Sequence, residues 1–469
     1  MVNEFFPWHW VSLHALITLL ALGIYLMASR TLRQRRHPSA AIAWILSLAL
    51  IPYLALPLYL LFGNRKVARP PSRLPTAVLE TKDSGQPQTS IQILAGTLGL
   101  PAPCTYDKFV LHEDGSHARQ SLFAVMDGAS ATLDLCTFSF GRDVLGQEIT
   151  RHLLQQARIG VRVRLMVDGL GGYLDGHPDF CALTAAGIQV TKFVPPLRFP
   201  VPGRTNLRNH RKMVIADGDR LWTGGRNLAA QYFEGDHTFM RKQTPWIDLS
   251  FELLGEIARQ AQTQFDRDWA FATQQRWVQD ARPVEADHTG EPSTVQLVAS
   301  GPDQPEDTIH TLLVSSCFAA QTRILAVSPY LVPDPTLQMA LTLAARRGVD
   351  VDLMLPRKSN HKLADMARPA ALRELVTSGA RVWLFPEMIH AKAVVIDDEF
   401  ALAGSANLDE RSLFLNYEMM VAFYKRSDIL KFAQWIEHQR QRAHLYQAIQ
   451  PGLVRELGEG LVRWLAFQL

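Results

Sequence analysis

Two short stretches of this chain repeat one spacing of reactive side chains. NHRKMVIAD holds His210, Lys212 and Asp217, and IHAKAVVID holds His390, Lys392 and Asp397. A strand sends alternate side chains to one face, so a His and a Lys two residues apart point together. An imidazole can attack or carry a proton near neutral pH, and an ammonium beside it neutralises an anion. The two side chains therefore serve one pocket, and the pocket can take an anion. The apolar residues between Lys and Asp suit a buried strand. Asp217-Gly218 and Asp397-Asp398 suit a turn, so the two aspartates belong either to the catalytic set or to the turn. Further on, TGGRN at 223–227 and GSAN at 404–407 set Asn227 and Asn407 at the same offset from His210 and His390. Small residues and Asn at the opening of a helix offer N–H donors to an anion. One His-x-Lys on a strand is usually an exposed pair without a role. Two copies with matching asparagines need another explanation.

The elements around the two stretches also repeat. ARIGVRVRLMVD at 157–168 resembles ARRGVDVDLMLP at 345–356, each a helix end, a glycine and a buried-type strand. TAAGIQVTKFV at 184–194 resembles TSGARVWLF at 377–385. Matches in the same order predict two similar α/β lobes, since two copies are too few for a solenoid. The expected boundaries are 93–282 for the first lobe and 295–469 for the second. Between them lies a polar linker, 283–294. Residues 67–92, rich in Pro, Ser, Thr and Gln, read as a linker before the first lobe.

Ahead of that linker stand two apolar runs, about Trp10–Met27 and about Ala40–Phe62. Each is near the roughly 20 residues a helix needs to cross a bilayer. The second contains Pro52 and Pro57, which a bilayer helix tolerates. The first lacks a basic N-terminal region and is followed at once by another apolar run, so both read as a retained anchor over residues 1–66 and not as a signal peptide. Basic residues flank both runs, so their count does not orient the hairpin. The net charge of +3 gives no bulk attraction for nucleic acid. Cys104, Cys136, Cys181 and Cys317 are scattered without metal-ligand spacing and read as small buried thiols.

With these motifs the sequence resembles the phospholipase D superfamily, over both lobes. Within it the chain is similar to the bacterial cardiolipin synthases, through AIAW and YLLFGNRK near the second apolar run, GPDQPEDTIH at 301–310, SPYLVPD at 328–334 and GSANLDERSLFLNYE at 404–418. The resemblance implies an α/β fold of two pseudo-twofold-related phospholipase D-type lobes behind an N-terminal two-helix transmembrane hairpin. It implies transfer of a phosphatidyl group between two phosphatidylglycerol molecules, giving cardiolipin and glycerol. Phosphatidylethanolamine is a further possible lipid substrate. The alternative is a hydrolytic phospholipase D or nuclease of the same superfamily. It also implies that His210 forms a phosphohistidine and His390 acts as acid and base, while Lys212 and Lys392 neutralise the phosphodiester. Asn227, Asn407 and Ser405 would bind phosphoryl oxygens, and Glu418 and Asp248 would orient the histidines. No metal or cofactor is implied. The lobes are expected at the cytoplasmic face of a bacterial inner membrane, where phosphatidylglycerol is made. Gly225 departs from the pattern, because serine is usual there and Ser405 is its match. FVPPLRFPVPGR at 193–204 and the amphipathic segment 452–469 are candidates for contact with a bilayer surface.

Overall fold

The computed structural model describes residues 8–31, 38–63, 89–174, 178–195, 206–235, 244–276 and 294–452, with 456, 458–460 and 462. The expected linkers 67–92 and 283–294, the loop 193–204 and the segment 452–469 lie largely outside these residues. So do the basic residues flanking the apolar runs, apart from Arg30.

Two mixed sheets organise the described chain. In the first, the strands lie in the order Lys108–His112, Ser250–Leu254, Arg220–Gly224, Met213–Ala216, Thr132–Thr137, Arg162–Asp168 and Gln189–Phe193. The second repeats that order as Val295–Ser300, Glu418–Phe423, Phe400–Gly404, Ala393–Ile396, Arg323–Val327, Asp350–Pro356 and Arg381–Phe385. It then adds His444–Leu445 at the edge. The last three strands of the first order are parallel, as are their counterparts. Helices cover such strands on both faces, which is why Val163–Asp168 and Val351–Pro356 are buried almost without interruption. Asp143 and Asp334 cap the helices Val144–Arg158 and Pro335–Arg346 through N–H groups of the first turn. Gly160 and Gly348 follow these helices at φ +94° and +88°, where a side chain would be strained.

The two halves share one core and exchange backbone. Phe109 and Phe251 from the first half meet Phe423 and Phe432 from the second, with ring centroids 5.0 to 6.1 Å apart. The His210 N–H donates to the Tyr417 carbonyl at 2.8 Å, and the Tyr417 N–H to the Arg208 carbonyl at 2.8 Å. In the mirror arrangement His390 N–H donates to the Ile247 carbonyl at 2.6 Å, and Ile247 N–H to the Met388 carbonyl at 2.9 Å. Reciprocal contacts of this kind are what a twofold relation between the halves produces. The helix Ser90–Thr97 precedes the first sheet yet buries Ala95 in the core of the second half, beside Ile309 and Leu313. Of the cysteines, Cys104, Cys136 and Cys317 are buried, but Cys181 on the helix Phe180–Ala185 is exposed, against the expectation for all four.

The N-terminal region is helical over Trp8–Thr31, Pro38–Leu50 and Pro52–Phe62. The second apolar run, expected as one helix, is two. Pro52 has no N–H to continue the ladder, Ile51 leaves helical geometry, and Pro52 starts a new helix at a position that tolerates it. Ala21, Tyr25, Leu48, Ala55 and Tyr59 pack the three helices together, while Leu16, Leu19, Leu26, Leu50 and Leu54 face outward. Among the described residues no helix is long and apolar enough to cross a membrane.

Candidate active site

His210 and Lys212 stand just before the strand Met213–Ala216, and His390 and Lys392 just before Ala393–Ile396. The extended backbone puts each pair on one side of its sheet, as the spacing of two requires. Both lysines turn back along their own strand. Lys212 Nζ donates to the His210 carbonyl at 2.6 Å, and Lys392 Nζ donates to the His390 carbonyl. Lys392 Nζ also lies 2.8 and 2.9 Å from the two ring nitrogens of His390.

Each histidine takes its carboxylate from the opposite half. His210 Nδ1 lies 2.9 Å from Glu418 Oε1, and His390 Nδ1 lies 2.6 Å from Asp248 Oδ2. The exchange follows from the reciprocal backbone pairing. Tyr417, which accepts from the His210 N–H, precedes Glu418, and Ile247, which accepts from the His390 N–H, precedes Asp248. With Nδ1 on the carboxylate, Nε2 is the ring nitrogen turned to chemistry, and at His390 it also faces Lys392 Nζ at 2.9 Å.

Electrostatics ties the four groups together. Burial lowers His210 to about 4, and the ammonium groups of both lysines add to the effect against Glu418. Burial and the adjacent Lys392 bring His390 to about 3. Burial also lowers Lys212 to about 8 and Lys392 to about 7. Burial acts to raise Asp248 and Glu418, but the neighbouring imidazoles and ammonium groups outweigh it and hold both carboxylates below their ordinary range. Both histidine shifts favour the neutral imidazole, with Nδ1 facing the carboxylate in each site. Lys392 acts on His210 and Lys212 acts on His390, so each half-site lies within reach of the other's charge.

Of the two roles open to Asp217 and Asp397, the contacts seen are those of the turn. Asp217 accepts from the N–H groups of Ser130, Ala131 and Thr132 at 2.7 to 2.8 Å, and Asp397 from those of Gln321, Thr322 and Arg323 at 2.8 to 3.0 Å. Both stand at positive φ in the hairpin turn and fasten it to the start of the neighbouring strand. Ser405 does not offer its proton to a phosphate. Its hydroxyl donates to Glu418 Oε2 at 2.5 Å and accepts from the Met419 N–H at 2.9 Å, so it fixes the carboxylate that holds His210. Gly225 then finds its reason. A Cβ there would meet Asp248 Oδ1 at 2.2 Å, so the shorter carboxylate of the first half occupies the room of a serine side chain. Asn227 and Asn407 are buried, each with a side-chain oxygen that has no partner among the described residues.

Comparison with known proteins shows what the chain is similar to. The family model "Cardiolipin synthase, PLD-like domain" matches residues 122–269 and 314–440, and "Phospholipase_D-nuclease N-terminal" matches 16–64. The chain is 31% identical to cardiolipin synthase A of Pseudomonas entomophila, over 93% of this chain and 92% of that protein. The cardiolipin synthase of Geobacillus kaustophilus is 29% identical over 91% of this chain and 88% of its own length. The chain belongs to the bacterial cardiolipin synthases of the phospholipase D superfamily. The crystal structure of phosphatidylserine synthase from Haemophilus influenzae covers 81% of this chain at a TM-score of 0.62 and 14% identity, a likeness of fold.

In this cardiolipin synthase relative the ionisable groups were legible in the sequence, and the rings around them were not. Phe138 sits edge-on to His210 at 5.3 Å, and Tyr232 and Trp246 flank His390 at 5.0 and 5.5 Å. A signal did exist for Trp246. PWID and LNYE stand in register, so Trp246 and Asn416 hold matching places two residues before Asp248 and Glu418.

Proposed function

We propose that this chain makes cardiolipin by moving a phosphatidyl group from one phosphatidylglycerol to the glycerol hydroxyl of another, releasing glycerol. The observation that carries the reading is the crossed arrangement of two His-Lys pairs, each imidazole held by a carboxylate of the other half. As the phosphodiester anion enters, His390 takes up a proton on Nε2 from solvent; His210 Nε2 then attacks phosphorus, and the bond from phosphorus to the leaving glycerol oxygen breaks as His390 passes that proton to it. The acceptor hydroxyl then gives its proton to His390, its oxygen bonds phosphorus, and the phosphorus–nitrogen bond to His210 breaks. The resting site favours neutral histidines, as His210 needs for attack. An arriving phosphodiester anion offsets the two ammonium charges and raises the proton affinity of His390, as donation to the leaving group needs. Lys212 and Lys392 meet the charge that builds on the phosphoryl oxygens. Asn227 and Asn407 supply amide donors, since a carboxamide can present NH2 where it now presents oxygen.

The N-terminal helices serve as a membrane anchor in this reading, with the two sheets at the cytoplasmic face of the inner membrane. The outward-facing leucines and the apolar runs of the sequence support it. The units 1–66, 93–282 and 295–469 are anchor and two lobes, joined by 67–92 and 283–294, with the helix Ser90–Thr97 at the first junction packing on the second lobe. Purified full-length protein with phosphatidylglycerol in detergent should form cardiolipin and release glycerol in equal amounts. Phosphatidic acid as main product would replace transfer with hydrolysis.

A further inference from the structure

The two histidines are held by the same backbone device but stand in unlike surroundings. At His210 the place two residues before the carboxylate is taken by Asn416, whose side-chain N–H donates to Glu418 Oε1 at 3.3 Å. Ser405 donates to the other oxygen of the same carboxylate. His210 therefore rests in a polar net with one ring, Phe138, on its edge. At His390 the matching place is Trp246. Its ring lies tilted against His390, and Tyr232 closes a further side edge-on, with the two rings 4.8 Å apart. Serine is missing as well, because Gly225 stands in its place. Both rings come from the first half and enclose the histidine of the second. The backbone N–H of Trp246 donates to the Gln231 carbonyl at 2.8 Å, which fastens the segment bearing Trp246 to the one bearing Tyr232.

We propose that Trp246, backed by Tyr232, determines transfer over hydrolysis by denying water a place beside His390. The proposal rests on the reading of His390 as the base of the second step. In that step His390 Nε2 takes a proton from whichever O–H reaches it. That oxygen bonds phosphorus, the phosphorus–nitrogen bond to His210 breaks, and the nucleophilic histidine leaves neutral. A lipid hydroxyl gives cardiolipin, and water gives phosphatidic acid. The two differ little in reactivity, so access decides between them. A water molecule held near Nε2 needs further hydrogen-bond partners; Lys392 Nζ, 2.9 Å from Nε2, supplies one, and the indole face supplies none of the rest. A glycerol hydroxyl carried on its own lipid does not need them, because the rest of the molecule holds it in place.

The test uses the full-length protein in mixed micelles of detergent and phosphatidylglycerol, with cardiolipin and phosphatidic acid both quantified by mass spectrometry. The variants are Trp246→Phe, Trp246→Leu and Trp246→Ala. The fraction of phosphatidic acid should rise in that order, by about tenfold or more at Ala, the scale on which one apolar contact changes discrimination. Trp246→Phe, which keeps a ring, stays near wild type. If total turnover falls along the series while the product ratio does not move, Trp246 is only a packing residue and the proposal fails. It fails equally if Trp246→Ala is inactive and neither Trp246→Phe nor Trp246→Leu shifts the ratio. Wild type that yields mainly phosphatidic acid would instead sink the transfer reading itself.

Discussion

At the scale of single residues, the site works through charges held away from their ordinary values. Lys392 at about 7 and Lys212 at about 8 lose their protons near neutral pH when the cleft is empty. A phosphodiester anion favours their charged form, so binding takes up protons and must weaken as pH rises. The KM for phosphatidylglycerol should climb from about pH 7, where Lys392 discharges, and more steeply above about pH 8, where Lys212 follows, by up to about tenfold per pH unit for each lysine involved. A KM that stays flat to about pH 9 would show that the lysines remain charged in the free enzyme. The crossed carboxylates give a second prediction. Glu418→Gln and Asp248→Asn each keep shape but lose the charge that orients an imidazole in the other half. Each should lower kcat by about 10²–10⁴-fold. KM should change far less, and a variant that alters KM alone would point to a substrate contact. The sequence showed the ionisable groups here because their types and spacing are local. It could not show that Ser405 serves Glu418, since only the folded sheet sets the serine hydroxyl on that carboxylate.

At the scale of elements, each motif strand is positioned by the turn that ends it. Asp217 and Asp397 use their carboxylates as a clasp on three successive N–H groups of the adjacent strand. Replacing Asp217 with Ala leaves those donors with water at best. It should cost about 1–3 kcal/mol of stability, read as a lower thermal midpoint. Burial works to raise both carboxyls, but the donated hydrogen bonds outweigh it and hold them below the ordinary value. Their contribution is therefore present above the unfolded carboxylate pKa and is lost as pH falls through the depressed folded value. The gap between wild type and Asp217→Ala should close in acid. The variant should keep measurable turnover at low temperature, and complete loss of activity in a folded variant would return Asp217 to the catalytic set. The α/β repeat was legible because a glycine after a helix, followed by a buried strand, is a pattern within a dozen residues. The break at Ile51 was harder to see. Proline is tolerated in bilayer helices, and only the observed geometry shows that Pro52 starts a helix here and does not merely kink one.

At the scale of the whole molecule, crossing the carboxylates makes neither half a complete site. His210 without Glu418, or His390 without Asp248, would be an unoriented ring, so activity requires the halves in fixed register. This exchange left no trace in local sequence, because its contacts join residues some two hundred positions apart in one case. The shared core enforces the register. Phe109, Phe251, Phe423 and Phe432 interlock across the halves, and burying them stabilises both sheets at once. The two halves should therefore unfold in a single calorimetric transition and not as separate lobes. Phe432→Ala opens a cavity at that junction and should cost about 3–5 kcal/mol. Phe432 sits on the helix Arg426–Arg440 of the second half, yet its loss must lower the stability of both. If the halves were independent, the variant would split the transition, with the first half melting where it does in wild type. One transition moved as a whole would mean that the cleft and the core between the sheets are a single cooperative structure. Two would mean that the histidines and their carboxylates part company before either half unfolds.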